Sequence, residues 1–439
     1  MAAEKEHEGA PGLQRVLGVW GAVWLGLGSI LGTGVFVSLG LAAGIAGNAM
    51  IAAVAVAGLV AVLNGLSSAQ LAAAHPVSGG TYEYGYRLLG PRAGFAAGWR
   101  FLLAKSASAA TAALGLAGYA MVALGWQGKG VRIGLALLLV LFADVLVAGG
   151  LRRSARANAI IVSVTLAGLA LFVAVAVGHA VTLGPASGVK WWPRDLRAGA
   201  FLEACALLFV AFTGYGRVAT LGEEVRDPAR TIPRAVLTTL AVSVLIYVLV
   251  AGSALVMVGP DVFAEVTRRS AAPLEWLARS TGVKGVPIAI AAAAMTAMAG
   301  VLLNLLLGLS RVLLAMARRG DMPRVFERVS GAQASPKAAV HGIAVLIAGL
   351  VAIGDVKTTW SFSAFTVLIY YALTNASAIR LPAGARRYPV VLAWLGLVAC
   401  LSLAFWVPVR YLAIGGGLLL AGFAWQAFMQ RRGVPKAVE

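Results

Sequence analysis

The chain has 439 residues, of which 60% are hydrophobic and only 12% are charged, and its formal net charge is +19. Average soluble domains are about 25% charged and 45–50% apolar, so this composition excludes an ordinary soluble enzyme and also a disordered chain. The apolar runs are long and continuous, unlike the alternating segments of a membrane β-barrel. They predict an all-α polytopic membrane protein.

Twelve apolar segments are long enough to cross a bilayer as helices. These predicted spans cover residues 17–40, 48–73, 94–124, 131–150, 155–180, 197–222, 233–258, 285–317, 338–354, 358–379, 389–407 and 409–429. We expect one transmembrane domain over 1–439, with tails at 1–15 and 430–439. The N-terminus lacks the basic segment of a signal peptide, so we expect the first apolar segment to be retained as a span.

The positions of the basic residues predict the orientation in the membrane. With the N-terminus inside, the inner loops hold about twice as many Lys and Arg residues as the outer loops, which agrees with the positive-inside rule. We therefore expect a multi-pass protein of the plasma (inner) membrane with both termini in the cytoplasm. Because the basic residues are spread over many short loops, they form no single patch, and we expect no nucleic-acid partner.

Span 1 contains four glycines within nine residues, in the segment GLGSILGTG (26–34). Each glycine costs about 1 kcal/mol relative to alanine inside a helix, so the cluster needs a reason. One interpretation is close helix packing, for which Gly28 and Gly32 have the small-xxx-small spacing. The other is a broken helix, whose unwound backbone is tolerated in a membrane where it lines a cavity. Its freed N–H groups would then face an anionic group, and its freed carbonyls a cationic one.

The next segments contain a tyrosine-rich loop and two ionisable groups. The loop 79–91, before span 3, predicts an interfacial helix. Lys105 lies near the middle of span 3, and Asp144 lies late in span 4. Charged groups inside a membrane mark either structural partners or functional sites. Lys105 either snorkels, forms an ion pair with Asp144, or takes part in coupling, whereas a structural partnership is favoured for Asp144.

Span 6 repeats the glycine signal of span 1 in AFTGYGR (211–217), which contains Gly214 and Gly216. Spans 1 and 6 would begin two five-helix halves, at about 17–180 and 197–379, and interrupted helices at corresponding positions mark the binding site of a transporter. A zwitterionic amino acid suits such a site. Its carboxylate would face the N–H groups of one half-helix, and its ammonium would face the free carbonyls.

Four stretches resemble the amino-acid permeases of the amino acid–polyamine–organocation (APC) superfamily. They are GSILGTGVF (28–36), HPVSGGTYEYGYRLLGPRAGFAAGW (75–99), AFTGYGRVATLGEEVRDPARTIPRA (211–235) and SRVLLAMARRGDMP (310–323). The second and third are most similar to the cationic-amino-acid-transporter branch and its bacterial relatives. The resemblance covers nearly the whole chain. It implies the LeuT-type fold, which has two inverted five-helix repeats, broken spans 1 and 6, and two accessory spans, here at about 389–429.

The same resemblance implies which residues bind substrate. The backbone around Ile30, Thr33 and Gly34 would bind the carboxylate, and carbonyls just before each break would take the ammonium. Phe212 or a neighbouring aromatic would close over the substrate as an outer gate, and Thr213 would help to shape the side-chain pocket. The full set of predicted substrate-binding residues is Gly28, Ser29, Ile30, Gly32, Thr33, Gly34, Val210, Phe212, Thr213, Gly214, Tyr215 and Gly216.

The sequence departs from that branch at three positions. Gly216 stands where relatives have an acidic residue, Lys105 belongs to a pair that is acidic–tyrosine in relatives, and Thr165 aligns with a span-5 lysine of several members. Arg217 is expected to pair with Glu224, to cap freed carbonyls or to touch a substrate carboxylate. The neutral surroundings of Gly216 predict a small or medium neutral amino acid, and Arg217 leaves an acidic substrate open.

The candidate coupling residues are Lys105, Thr165, Arg217 and Asp144. Some sodium-independent relatives are thought to use the span-5 lysine in sodium's place, and Thr165 lacks that charge. Lys105 is the one lysine deep in a predicted span, and burial disfavours a charged amine, so substrate entry would change its protonation. We predict a secondary active transporter that is independent of sodium and driven by protons or by exchange.

Other functions have less support in the sequence. The histidines have no second ligand at metal spacing and there is no Walker A motif, so we expect no metal, no cofactor and no ATP-driven transport. An intramembrane enzyme needs a converging nucleophile and base, or paired aspartates, within the spans. A membrane scaffold would not need glycine breaks. The alternative within transport is a polyamine or organic-amine carrier, which would favour acidic pocket residues; these are scarce here.

Overall fold

The computed structural model describes residues 17–75, 79–150, 155–186, 196–219, 225–329 and 336–431. This described part is helical, and its β pairing is limited to one isolated bridge between Leu17 and Val225. The tail 1–15, residues 432–439, the end of predicted span 6 at 220–222 and Glu224 lie outside the described residues. Predictions made for those positions therefore stay predictions.

Nine of the predicted spans are single helices in the structure, and a tenth, span 7, consists of two helices joined at a kink. These ten spans are Met50–Ala74 (span 2), Pro91–Leu124 (span 3), Lys129–Ala148 (span 4), Ala155–Leu183 (span 5), Pro228–Arg269 (span 7), Val286–Arg318 (span 8), Lys337–Ala352 (span 9), Val356–Ile379 (span 10), Val390–Phe405 (span 11) and Val409–Arg431 (span 12). Span 7 extends eleven residues past its predicted end at 258. The predicted end coincides with a kink, because Gly259 has a φ of 75° there.

Spans 1 and 6 are interrupted. Span 1 runs as Val19–Ile30, bends through 31–33, and continues as a π-helical turn, Gly34–Ser38, followed by Leu39–Ala46. Span 6 runs as Ala198–Phe212, tightens into the 3₁₀ turn Thr213–Tyr215, and resumes as Gly216–Ala219. The predicted interruption of both helices is confirmed.

Nine helical segments of the described chain are long and apolar enough to cross a membrane. Val19–Ile30, Lys337–Ala352 and Val390–Phe405 are also apolar but have only 10–17 residues. A full crossing takes roughly 20 residues, so the first of these is half of a span that continues beyond its break. The helical multi-pass class expected from composition is confirmed.

Span 3 forms the centre of the bundle and packs against spans 8, 10 and 4. Small residues make this possible, since alanines at 104, 107, 109, 110, 112 and 113 are fully buried. Small side chains let membrane helices approach closely. A polar residue on span 3 is therefore surrounded by protein on most sides, which matters for Lys105 below.

The loop between spans 2 and 3 contains the predicted helix, Thr81–Leu88, which packs against the end of span 8. The Tyr82 and Tyr86 hydroxyls donate to the Asp321 carboxylate at 2.8 and 2.5 Å. Arg319 forms an ion pair with Glu83 at 2.5 Å. Burial raises the pKa of the Asp321 carboxyl, although the tyrosine hydrogen bonds act in the opposite direction. The helix is thus anchored to the transmembrane bundle by polar contacts.

Candidate functional site at two facing helix breaks

The interruptions of spans 1 and 6 lie against each other. A Cβ atom at Gly214 would be 2.2 Å from the Ser29 carbonyl oxygen. A Cβ atom at Gly34 would be 2.7 Å from the Ala211 Cβ. No other residue type fits these contacts without displacing backbone or side chains. The two sequence interpretations of the glycines, close packing and a broken helix, therefore both hold.

Tyr247 on span 7 joins the two breaks. Its hydroxyl lies 3.0 Å from the Ile30 carbonyl oxygen and 3.2 Å from that of Ala211, so it is a donor to the last turns of both half-helices. The Phe212 ring is fully buried and packs on the Tyr247 ring, with centroids 4.9 Å apart. The role of Phe212 as an outer gate stays a prediction.

Neutral amides support the break in span 1. The Asn158 amide of span 5 donates to the Trp24 carbonyl at 2.7 Å. The Asn304 amide of span 8 lies 3.5 Å from both the Gly28 carbonyl oxygen and the Ser29 hydroxyl. Both asparagines are buried. Since an amide bears no net charge, these contacts satisfy carbonyls without adding a cation.

The second half of span 1 offers donors to a ligand. Thr33 is 4% exposed, and within the described chain its hydroxyl has no hydrogen-bond partner. The Gly32 and Thr33 N–H groups precede the half-helix that starts at Gly34, and the first N–H groups of a helix lack intrahelical acceptors. Buried polar groups are nearly always hydrogen-bonded in native proteins. The unpartnered Thr33 hydroxyl therefore points to a ligand or water at this break.

The break in span 6 is supported by a charged residue. The Lys105 ammonium is 6% exposed and donates to the Thr213 hydroxyl at 2.7 Å and to the Thr213 carbonyl at 3.2 Å. The Thr213 hydroxyl in turn donates to the Val210 carbonyl at 2.7 Å. The ammonium thus caps the carbonyl end of the first half-helix, where cations are favoured.

Aromatic residues of span 10 cover the same break. The Tyr371 hydroxyl donates to the Thr213 carbonyl at 3.2 Å, and its ring lies 5.4 Å from that of Tyr215. A Cβ atom at Gly216 would be 2.9 Å from the Tyr371 hydroxyl oxygen. The space beside Gly216, where the resemblance implies an acidic side chain, is therefore occupied by a tyrosine hydroxyl from another span.

The proposed ion pair between Lys105 and Asp144 is wrong. Asp144 lies against His341 of span 9, with 2.8 Å between Asp144 Oδ2 and His341 Nδ1. Lys105 bonds to Thr213 instead. The structural role favoured for Asp144 is supported, but its partner is an imidazole that the sequence analysis did not connect with it.

Two further coupling candidates occupy different environments. Thr165 is buried, and its hydroxyl donates to the Ile161 carbonyl of its own helix at 2.8 Å. Asn158, two turns earlier in span 5, is hydrogen-bonded to span 1. Arg217 is partly buried in Gly216–Ala219, directly after the break. Its predicted partner Glu224 lies outside the described residues.

Sequence reasoning missed four side chains at the breaks: Asn158, Asn304, Tyr247 and Tyr371. Each is a polar residue within an otherwise apolar span, which is a usable signal in a membrane protein because such groups need partners. The partner, however, lies on a distant segment. Asn304 and Gly28, for example, are 276 positions apart in the chain.

Among the described residues, no group of three or more His, Cys, Asp or Glu side chains is placed to hold a metal ion. The polar groups at the breaks are instead hydroxyls, amides, backbone carbonyls and one ammonium. Such groups recognise a small polar organic molecule through hydrogen bonds.

Two interrupted helices that face each other inside a multi-pass helical bundle define a membrane transporter. The chain belongs to the amino acid permease family, whose model matches residues 21–438. This family has the LeuT-type fold, with two inverted five-helix repeats, two additional helices and broken spans 1 and 6. The resemblance seen in the four sequence stretches is confirmed.

Several characterised and uncharacterised transporters are similar to the chain. An uncharacterized transporter of Mycobacterium tuberculosis is 40% identical over 416 residues, which are 94% of this chain and 90% of the relative. The branched-chain amino acid permease BcaP of Bacillus subtilis is 30% identical, over 75% of this chain and 72% of its own. The methylthioribose transporter of the same organism is 29% identical, over 81% and 80%. Cationic amino acid transporters of Arabidopsis thaliana are also among the relatives.

Proposed function

We propose that the protein is a secondary active transporter that carries amino acids across the cell membrane by alternating access. The two facing breaks support this proposal most directly. At one break the Thr33 hydroxyl has no partner among the described residues, and at the other the Lys105 side chain caps the Thr213 carbonyl. The excess of basic residues in the inner loops supports a location of both termini in the cytoplasm.

Substrate would bind between the breaks. Its carboxylate would accept hydrogen bonds from the N–H groups of residues 32–34 and from the Thr33 hydroxyl. Its ammonium would lie against the carbonyls of Ile30, Ala211 and Thr213, which are the carbonyls that Tyr247, Tyr371 and Lys105 now hold. A substrate ammonium would thus compete with side chains of the protein for the same acceptors.

The substrate is proposed to be a small or medium neutral amino acid. The described residues bring no carboxylate into hydrogen-bond contact with either break, so a cationic side chain has no counter-charge there. The similarity to a branched-chain amino acid permease agrees with this class. A polyamine is disfavoured, because it has no carboxylate for the N–H groups of residues 32–34, and the described residues place no carboxylate at either break to pair with its additional ammonium groups.

An uncharged polar molecule is the second candidate substrate, because one relative is a methylthioribose transporter. Methylthioribose has neither a carboxylate nor an ammonium. It would bind through hydroxyl groups to Thr33, Asn304 and the freed carbonyls. A site built from amides and hydroxyls on span 1 is compatible with both classes.

Transport is proposed to be coupled through Lys105 to protons and to be independent of sodium. The amine bonds directly to a carbonyl that the substrate ammonium would use, so substrate binding and lysine protonation would influence each other. At the span 1 break, the contacts among the described side chains come from the Asn304 amide and the Tyr247 hydroxyl, and they include no amine.

The test is a thermal-shift screen of the purified protein against the common amino acids, polyamines and methylthioribose. Neutral amino acids are expected to raise the melting temperature in a saturable manner. Stabilisation by polyamines alone would contradict the proposal. Uptake into proteoliposomes with an imposed proton or sodium gradient then tests the coupling, and stimulation by sodium would overturn the lysine mechanism.

A further inference from the structure

Arg100 on span 3 is a buried charge that neither break uses. It is 2% exposed, and in the part of the chain that the structure describes its Nε and Nη1 atoms have no hydrogen-bond partner. A guanidinium in a protein stays protonated and has only donors to offer. A buried charge without a partner is strongly disfavoured, above all inside a membrane. The position therefore calls for an anionic partner.

Neighbouring contacts show that Arg100 lies deep in the bundle. The adjacent Trp99 indole donates to the Leu418 carbonyl at 2.8 Å, and Leu418 is near the middle of span 12. The guanidinium carbon lies 5.2 Å from the centre of the Phe365 ring, in the central part of span 10. Arg100 therefore does not reach the aqueous ends of these helices, and snorkelling does not account for it.

Three spans enclose the guanidinium. The Phe365 ring covers it on one side through a cation–π contact. On span 12, a Cβ atom at Gly415 would be 2.4 Å from that ring and 3.3 Å from Nη1, so the backbone packs directly on the pair. The Ser361 hydroxyl, one turn before Phe365 on the same face of span 10, is buried and has no partner among the described residues.

No ion pair among the described residues offsets this charge. The ion pairs of the described residues engage Asp227, Glu265, Glu275, Glu83 and Asp144 with other partners, and none includes Arg100. The ring face supplies only a weak electrostatic attraction. The two unpartnered guanidinium nitrogens can only donate, and the unpartnered Ser361 hydroxyl, one turn from Phe365, can donate as well, so an anion is the ligand that would satisfy all three.

We propose that Arg100 binds a small monovalent anion between spans 3, 10 and 12, with the Ser361 hydroxyl as an additional donor. The bound group is a chloride ion or a small carboxylate, since both accept hydrogen bonds from a guanidinium fork. This site is distinct from the helix breaks. Lys105 faces span 6 from another side of span 3, whereas Arg100 contacts spans 10 and 12.

The experiment follows the melting temperature of the purified full-length protein while sodium gluconate is replaced by sodium chloride at constant ionic strength. Chloride is expected to raise the melting temperature saturably by about 2 °C or more. Gluconate is too bulky for the enclosed site. Arg100→Gln should lose the response. Arg279→Gln is the matched control, because Arg279 has a carboxylate partner in Glu275, and it should keep the response.

Two further titrations identify the source of the anion. Acetate matching chloride, together with competition from an amino acid, would indicate a carboxylate ligand; a response confined to halides would indicate an inorganic ion. The proposal is overturned if the parent protein melts identically in chloride and gluconate, or if Arg100→Gln responds as the parent does. Should Arg100→Gln fail to fold, Ser361→Ala decides. It must raise the half-saturating chloride concentration several-fold, and an unchanged value rejects the site.

Discussion

The breaks in spans 1 and 6 present the same problem, namely backbone carbonyls without helical partners in a low-dielectric bundle, and are supported by different chemistry. At span 1 the Asn304 amide lies against the Gly28 carbonyl beside the break, and the Asn158 amide bonds to the Trp24 carbonyl within the first half-helix. At span 6 the supporting groups are the Lys105 ammonium and the Tyr371 hydroxyl. The Tyr247 hydroxyl contacts the carbonyls of both.

This difference between the supporting side chains suggests a division between substrate binding at span 1 and proton coupling at span 6. Neutral amides give the same hydrogen bonds at every physiological pH, so the span 1 break keeps constant electrostatics. An ammonium changes charge when it loses a proton, so the span 6 break alone has a supporting side chain that can respond to a proton gradient. On the function proposed above, the two interrupted helices would therefore have unequal roles. The predictions below test that inequality.

The largest expected effect is the loss of substrate binding in Gly34→Val. The added Cβ atom would meet both the Tyr247 hydroxyl oxygen and the Ala211 Cβ at 2.7 Å, so the breaks would be forced apart. Gly252→Val on span 7 is the control, since a Cβ atom there meets nothing within 4 Å. Ligand-induced thermal shifts and uptake should vanish only in the first variant. Normal transport by Gly34→Val would show that the substrate site is misplaced.

Next in size is the pH response of Lys105→Ala. Uptake by the parent should vary with pH, and the profile of the variant should flatten, because the amine that contacts Thr213 is gone. Substrate affinity at a fixed pH should change less than the pH profile. Uptake by proteoliposomes across a pH series measures both. A variant whose pH profile matches that of the parent would rule Lys105 out as the coupling residue.

A smaller effect is expected from the asparagines. Asn158→Ala should lower the free energy of unfolding by about 1–2 kcal/mol, because it removes a buried hydrogen bond of normal length. Asn304→Ala should cost less, since its contacts are both 3.5 Å long. Both variants should retain the pH profile of the parent. An altered profile in either would place a proton-sensitive step at span 1 and remove the distinction between the breaks.

The smallest expected effect is the coupling energy between Lys105 and Asp144. Their side chains bond to different partners, Thr213 and His341, so Lys105→Ala and Asp144→Ala should be additive in the double variant within about 0.5 kcal/mol. By contrast, Asp144→Ala and His341→Ala should show non-additivity. Melting of the parent, the three single variants and the two double variants gives both cycles. If the Lys105–Asp144 double variant recovered stability relative to the single variants, the two side chains would be shown to form the ion pair that the structure contradicts.

Much of the fold was predictable because it depends on local properties of the sequence. A long apolar run is a sufficient condition for a spanning helix, and the helix ends followed from charged and glycine-rich connectors. The exceptions were span 1, whose second half continues to Ala46 instead of ending at 40, and span 7, where a second helical stretch follows the kink at Gly259. The breaks were predictable as well, since glycines at 214 and 216 are unfavourable in an ordinary helix.

The sequence by itself determined the class of the protein, the spans and the two interruptions, because composition, apolar length and glycine content act within a single helix. Only the tertiary structure decided which side chains meet the freed carbonyls. Lys105 and Thr213 are 108 positions apart, and no helical period specifies which face of a distant span a residue will contact. The same reason explains why Asp144 bonds to His341 rather than to the oppositely charged Lys105. Complementary charge makes a pair plausible, but the packing of spans 4 and 9 sets which groups come within reach.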